Sequence, residues 1–392
     1  MATPFKFKNA DGTTVDFEDY YVRADYFRSG NLWVCGFNNN GQLGDNTSVT
    51  KRSSPVQTIA WGSNWKQVAC GESHSVAIKT DGTLWLCGNN SLGVLGDNTQ
   101  TARSSPVQTV AFGTNWMQVS AGYKRTAAIK TDGTLWIWGR GDLGQLGDNT
   151  IISKSSPVQT VAFGTNWKQV ACGYRHTAAV KTDGTLWCWG DNANGKLGDN
   201  TITLRSSPVQ TIAFGTNWIS VSCGREYAAA IKTDGTLWTW GENASGQLGD
   251  NSTTPRSSPV QTISYGNNWK QVSSGNEHTA AIKTDGTLWV WGNNSFGPLG
   301  NNASTNRSSP IQTITLGTNW KQVACGMYCT AAVKTDGTLW AWGYNSYGNI
   351  ADNTIAHKSS PVQTIMYGTN WKQVSVGWYF NAAAIQYQDD YQ

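Results

Sequence analysis

The chain has 392 residues, only 14% of them charged, and a formal net charge of +4. No stretch approaches the 18 consecutive apolar residues of a membrane-spanning helix, and the start, M-A-T-P-F-K-F-K-N-A-D-G, lacks the apolar core of a secretion signal. The lysines are spread along the chain rather than gathered in a run, which argues against nucleic acid as a partner.

In chain order, residues 1–28 stand outside any repeat. They read as a leader, with Phe5, Phe7, Phe17, Tyr20, Tyr21 and Tyr26 as the apolar groups of a docking arm. Residues 29–388 form the repeated body, and residues 389–392 are a tail. A Leu-Trp pair, preceded in most copies by K-T-D-G-T, ends at Trp33, Trp85, Trp136, Trp187, Trp238, Trp289 and Trp340; the first interval is 52 residues and the others 51. A second mark, G-x-N-W, follows each, at Trp65, Trp116, Trp167, Trp218, Trp269, Trp320 and Trp371. Seven copies of one unit imply stacking, because a single unit of this size cannot bury its own apolar face.

Each copy holds four short stretches rich in Trp, Val, Ile and Thr, here a (L-W-x-W-G), b (S-P-V-Q-T-I), c (N-W-K-Q-V) and d (H-T-A-A-I-K). Strand d joins a through T-D-G-T, whose Asp-Gly supplies the positive φ of a tight hairpin. Pro55, Pro106, Pro157, Pro208, Pro259, Pro310 and Pro361 are expected to begin strand b, which places b at the sheet edge. The fold class predicted is all-β: a seven-bladed β-propeller of four-stranded blades, closed by pairing N- and C-terminal strands in one blade.

The eight cysteines fall on repeated slots. Cys70, Cys172, Cys223 and Cys325 share a position with Ala121, Ser274 and Val376, and Cys35 and Cys87 replace a tryptophan found in five copies. Small packed side chains vary in this way, whereas disulfide or zinc ligands do not. Asp45, Asp97, Asp148, Asp199, Asp250 and Asp352 recur in G-D-N-T or its near copies G-D-N-S and A-D-N-T and read as turn residues spaced too far apart for one metal. Neither cofactor nor metal is expected. No Ser-His-Asp set, paired carboxylates or phosphate-cradling loop stands out, so no enzyme is predicted.

The pattern G-x-x-H-T-A-A-I-K-T-D-G-T-L-W-x-W-G-x-N-x-x-G-Q-L-G, seen at His74 to Gly88, His176 to Gly190 and His278 to Gly292, resembles the regulator of chromosome condensation repeat family over about nine tenths of the chain. The resemblance implies a propeller with blade order c-d-a-b. Founding members exchange nucleotide on a small GTPase through an inserted wedge and a basic face; this chain has neither, so that activity is not carried over. One branch includes a plant UV-B photoreceptor with Trp in the slot that only Trp378 fills here, which argues against photoreception. A bacterial β-lactamase inhibitor of similar architecture implies that a ring face can serve for binding alone. Near-identical copies and the leader F-K-F-K-N-A-D-G-T-T-V-D-F-E-D-Y-Y-V-R also resemble propellers among virion proteins of tailed marine phages.

Function is sought where the copies differ. The segment between c and d varies most: Glu72-Ser73-His74, Tyr123-Lys124-Arg125, Tyr174-Arg175-His176, Arg225-Glu226-Tyr227, Asn276-Glu277-His278, Met327-Tyr328-Cys329 and Trp378-Tyr379-Phe380. Cyclic symmetry puts all of them at one end of the ring, and Tyr, Trp and Arg there are typical binding residues. Drift at tolerant turns, or contact with a fellow subunit, is the competing reading. The a–b loops carry Val49, Ile151, Ile152, Ile202, Leu204 and Ile355, which either meet a protein or tuck under the next blade; tucking is the expectation. The leading functional expectation is a non-enzymatic virion protein, docked by its arm on phage tail, neck or fibre components. It would be assembled in the host cytoplasm, multimeric through the particle, and would present a ring face to other virion proteins or to a host surface receptor or glycan. The alternatives are a cytoplasmic regulator or inhibitor gripping one protein partner, or a lectin-like sugar binder.

Overall fold

A computed structural model of the chain describes residues 6–8, 14–16, 30–59, 64–111, 113–161, 164–212, 215–263, 266–315, 317–365, 369–378 and 381–387. Every regular element among them is a strand. The leader contributes a separate antiparallel ribbon, β1 (Lys6–Lys8) and β2 (Thr14–Asp16), with Phe7 opposite Val15. Of the expected docking-arm residues only Phe7 falls within an element; Phe5, Phe17, Tyr20, Tyr21 and Tyr26 lie outside the described residues.

One repeat serves for all. Strand c (Trp116–Gly122) pairs with d (Arg125–Lys130), d with a (Leu135–Gly139), and a with b (Lys154–Gln159), all antiparallel. The d–a turn needs its glycine: Gly133 has φ +77°, and a Cβ there would lie 2.0 Å from the Thr165 carbonyl of the next repeat. Asp132 fixes the same turn by accepting the Thr134 N–H at 2.9 Å. Strand b is an edge strand, but proline does not begin it. The strand starts three residues earlier, at Lys154, and Pro157 sits where the register slips between Ile137↔Val158 and Gly139↔Lys154. A bulge on an edge asks nothing of the missing N–H.

Hydrogen bonding divides the ring into six sheets, not the predicted seven separate four-stranded blades. Five sheets have four strands in the order c-d-a-b, and the sixth has eight. In the large sheet, the C-terminal strands Trp371–Val376 and Asn381–Tyr387 lead into β3 (Gly30–Phe37), which also pairs with β4 (Lys51–Gln57). It continues through a single bridge, Gly30↔Trp65, into β5 (Trp65–Cys70), β6 (His74–Lys79), β7 (Leu84–Gly88) and β8 (Arg103–Gln108). The cause is local. Gly82, the counterpart of Gly30, lies in a d–a turn and makes one backbone bond onward, accepting the Trp116 N–H at 3.0 Å. Gly30 is instead a strand residue paired with Tyr387, so the same onward contact prolongs a ladder and fuses two units.

Apolar side chains fill the space between successive repeats. Val76, Ile78, Leu84 and Leu86 of one pack on Trp116, Val119, Ala128 and Trp138 of the next. A fully buried tryptophan removes roughly 200 Å² from water, worth about 5 kcal/mol before chain entropy is charged against it. The indole N–H of Trp138 is satisfied by the Val94 carbonyl at 2.8 Å; in the slot where Cys87 replaces tryptophan, the thiol faces the Gln42 carbonyl at 3.5 Å. All eight cysteines are buried, and none of them forms a disulfide.

The c strands touch one another in a closed cycle around a central channel. Glutamines bind them together. Gln67 donates its amide to the Val119 carbonyl at 3.3 Å and accepts the Val119 N–H at 3.1 Å. The same pair of hydrogen bonds joins Gln118 to Val170, Gln169 to Val221, Gln271 to Val323, Gln322 to Val374 and Gln373 to Val68. The remaining junction has Ser220 facing Val272; the serine hydroxyl is buried without a partner, and Val272 is 9% exposed where its six counterparts are at most 3%.

Candidate functional site

A glycine ends or directly follows each c strand, and at Gly71, Gly122, Gly173, Gly224, Gly275 and Gly326 the next repeat crowds it. A Cβ on Gly122 would lie 2.7 Å from the Gly173 carbonyl, and Tyr123 donates its N–H to that carbonyl at 3.3 Å. The residue after strand a returns to the same place: the N–H groups of Asn89, Arg140, Asp191, Glu242, Asn293 and Tyr344 bond to the carbonyls of Ser73, Lys124, Arg175, Glu226, Glu277 and Tyr328. Consequently the c–d segments and the a–b loops share one face, inner and outer respectively.

Five residues expected to meet a partner lie inside the ring instead. His74, Arg125, His176, Tyr227 and His278 are the first residues of their d strands and are buried. They stitch repeats together. The Thr126 hydroxyl donates to the Val94 carbonyl at 3.0 Å, so at 3.1 Å it accepts from His74, which carries its proton on Nε2. His278 repeats this arrangement with Thr330 at 3.0 Å. Arg125 donates to the carbonyls of Gly173 at 3.0 Å, Tyr174 at 3.3 Å and His176, and the Tyr227 hydroxyl to that of His278. Burial drives the His74 and His278 pKa down to about 3, so both are neutral. Asn276 and Glu72 are buried too, and burial pushes the Glu72 carboxyl up to about 7 against the pull of Lys124 and Arg140 and a hydrogen bond from Tyr123.

Cys329 is buried as well; the other described segment residues reach the surface, and three from separate repeats meet over the channel. The rings of Tyr123 and Tyr174 are 4.1 Å apart, and Trp378 comes within 5.5 Å of Tyr174. Trp378 also lines a cavity of about 280 Å³ between the c strands. Cations cover the aromatic group: Lys124 at 5.3 Å and Arg140 at 5.6 Å from Tyr123, and Arg175 at 5.1 Å and Arg225 at 5.4 Å from Tyr174. Beyond them lies an acidic sector. Glu226 contacts the fully buried Lys196, which also holds Asp191 at 2.7 Å, and the Glu242 pKa is raised by burial and then by Glu277 and Glu226. Tyr379 and Phe380 lie outside the described residues.

A third sector is built from rings packed on one another. Tyr328 lies 5.1 Å from Phe296, Phe296 is 5.0 Å from Tyr344, Tyr344 stacks on His357 at 4.5 Å, and Phe37 is 4.9 Å from Tyr347. Met327 belongs to the same side of the ring. Most of these rings follow strand a, a position as variable between copies as the c–d segment; that variability was the available signal. The a–b loop aliphatics do not tuck under a neighbour: Ile151 and Ile152 are 62% and 61% exposed and Ile202 70%. The recurrent aspartates serve turns. Asp45 accepts from Thr47 and Asn38 and pairs with Arg52 at 3.1 Å. Burial opposes its charge, but those hydrogen bonds outweigh it and hold the pKa below the ordinary value.

Comparison with known proteins agrees with this architecture. The RCC1-like domain profile matches residues 155–389, and that of the regulator of chromosome condensation (RCC1) repeat matches 29–78 and 81–129. The ultraviolet-B receptor UVR8 of Arabidopsis thaliana is 32% identical over 320 residues, covering 79% of this chain and 72% of the receptor. The chain belongs to the regulator of chromosome condensation repeat family. Within the family, the human E3 ubiquitin-protein ligase HERC2 is 28% identical over 357 residues, 88% of this chain but 7% of the ligase, so the name of that activity belongs to a far larger protein. Yeast Prp20p, solved with attention to its binding of Gsp1p and histones, superposes with TM-score 0.83 at 18% identity over 96% of each chain. Human WBSCR16 superposes with TM-score 0.81 at 21% identity, over 92% of this chain and 100% of that one. At such identities the two solved structures establish the fold alone. None of these relatives supports a place in a phage particle.

Proposed function

We propose that this chain is a non-catalytic regulator or scaffold that grips one protein partner with the face bearing the c–d segments. The observation that carries this reading is the convergence of Tyr123, Tyr174 and Trp378, from three repeats, under a cover of four cations. Such residues combine large contact area with little entropy to lose, and they depart from an otherwise copied sequence.

Affinity capture with the full chain, read by mass spectrometry, tests it. Three baits are compared: the unaltered chain, Tyr174→Ala with Trp378→Ala, and Lys168→Gln with Lys270→Gln and Lys321→Gln. These lysines are exposed at the start of their c strands, at the opposite end of the ring. The expected result is a partner held by the first and third baits and lost from the second. A partner held equally by all three, or lost only with the lysine variant, overturns the reading.

A further inference from the structure

The cations of the mouth are not equally satisfied. Arg140 makes a two-pronged bond to Asp142, at 2.8 and 2.7 Å. Lys124 is 3.9 Å from Glu72, a carboxyl whose raised pKa leaves it only partly charged near neutrality. Arg225 approaches Glu277 at 3.7 Å, and that carboxylate is shared with hydrogen bonds from Ser245 at 3.1 Å and Asn293 at 3.3 Å. Among the described residues Arg175 has no carboxylate within ion-pairing distance, and its Nε is buried without a hydrogen-bond partner. Two guanidinium groups, one unpaired and one loosely paired, therefore lie over the single ring of Tyr174. Like charges gathered on one ring repel, and an anion beside these guanidinium groups would offset that cost and gain planar, two-pronged hydrogen bonds of a kind lysine cannot make.

We infer that the partner of this face presents a carboxylate, on an Asp or Glu side chain or a chain terminus, to Arg175 and Arg225 above Tyr174. The inference rests on the functional reading above and names the chemistry of its central contact. Aromatic area supplies the rest of the interface, and the neighbouring Glu226, Glu242 and Glu277 discourage a second acidic group on the far side. The partner surface that fits is thus an isolated acidic residue beside apolar groups, not an acidic tract.

Fluorescence anisotropy with a labelled, end-blocked peptide carrying one glutamate among apolar residues, at low salt, reads the carboxylate site directly. Binding is expected to weaken about tenfold or more in Arg175→Ala, and by a smaller factor in Arg175→Lys, which keeps the charge but loses the fork. The Lys168→Gln, Lys270→Gln, Lys321→Gln variant should bind as the unaltered chain does, and a deca-lysine peptide should not compete. Unchanged thermal midpoints in the Arg175 variants tie the loss to the site. Equal binding to Arg175→Ala and the unaltered chain, absence of binding to the unaltered chain, or loss in the lysine variant instead would each overturn the inference. The two readings fail separately. A captured partner that depends on Tyr174 and Trp378, with peptide binding indifferent to Arg175, sinks only the carboxylate; a partner that ignores the mouth sinks both.

Discussion

The mouth of the ring and the layer directly beneath it are built from adjacent residues of the same seven segments, yet they do opposite work. Tyr123, Tyr174, Arg175 and Trp378 stand above the last hydrogen bonds of the sheets and touch one another across repeats. One or two residues on, His74, Arg125, Tyr227 and His278 are sealed in and spend their polar atoms on the neighbouring repeat. Variation between copies is high in both layers, so variability alone does not mark a binding surface. In the lower layer it records different solutions to one packing problem: imidazole, guanidinium and phenol each reach the next strand.

Substitutions can break this contrast. The largest effect is expected from Arg125→Ala, which leaves three carbonyls without their donor and a void in the junction; unfolding in urea should show a loss of about 3 kcal/mol. Next is Glu72→Gln. The folded state keeps the Glu72 proton to about pH 7 while the unfolded chain releases it near its ordinary pKa of about 4.3, so this group withdraws stability as pH rises across that window. The glutamine variant should be the more stable by about 2 kcal/mol at pH 8 and should lose the advantage near pH 4, as read by thermal midpoints.

A smaller loss, about 1.5 kcal/mol at pH 7, is expected for Asp250→Asn. Burial works against the Asp250 charge, but hydrogen bonds from Ser252, Arg256 and Asn243 prevail and lower its pKa. That contribution is complete above the unfolded value of about 3.9 and disappears as pH falls through the lower folded one, so aspartate and asparagine chains should converge in acid. The smallest change belongs to the mouth: Tyr174→Ala should cost less than about 1 kcal/mol in the same urea experiment while abolishing capture of the partner.

Much of the architecture is legible in the repeat. The Asp-Gly turns, the four strands per copy and the tryptophan layers follow from local chemistry that every copy restates. What escaped is what depends on neighbours in space. That Gly30 would extend a ladder where Gly82 closes a turn depends on Tyr387, more than 350 residues away. That His74 points inward depends on the position of Thr126 in the next repeat. Proline was placed at a strand start because a bulge, the other tolerant site, leaves no mark in a single sequence. The aromatic sector of Phe296, Tyr344 and Tyr347 is not legible because each ring alone is an ordinary loop residue, and only the packing of neighbouring repeats sets them side by side.

The glutamine clamps make the inner circle a hoop with six fasteners shut and one open. A hoop under thermal agitation parts where it is unfastened, so breathing of the disc should begin between the repeats of Ser220 and Val272. Deuterium should enter the Val272 amide well ahead of its six counterparts, and Ser220→Gln, by supplying the missing latch, should bring that amide back into step with the rest.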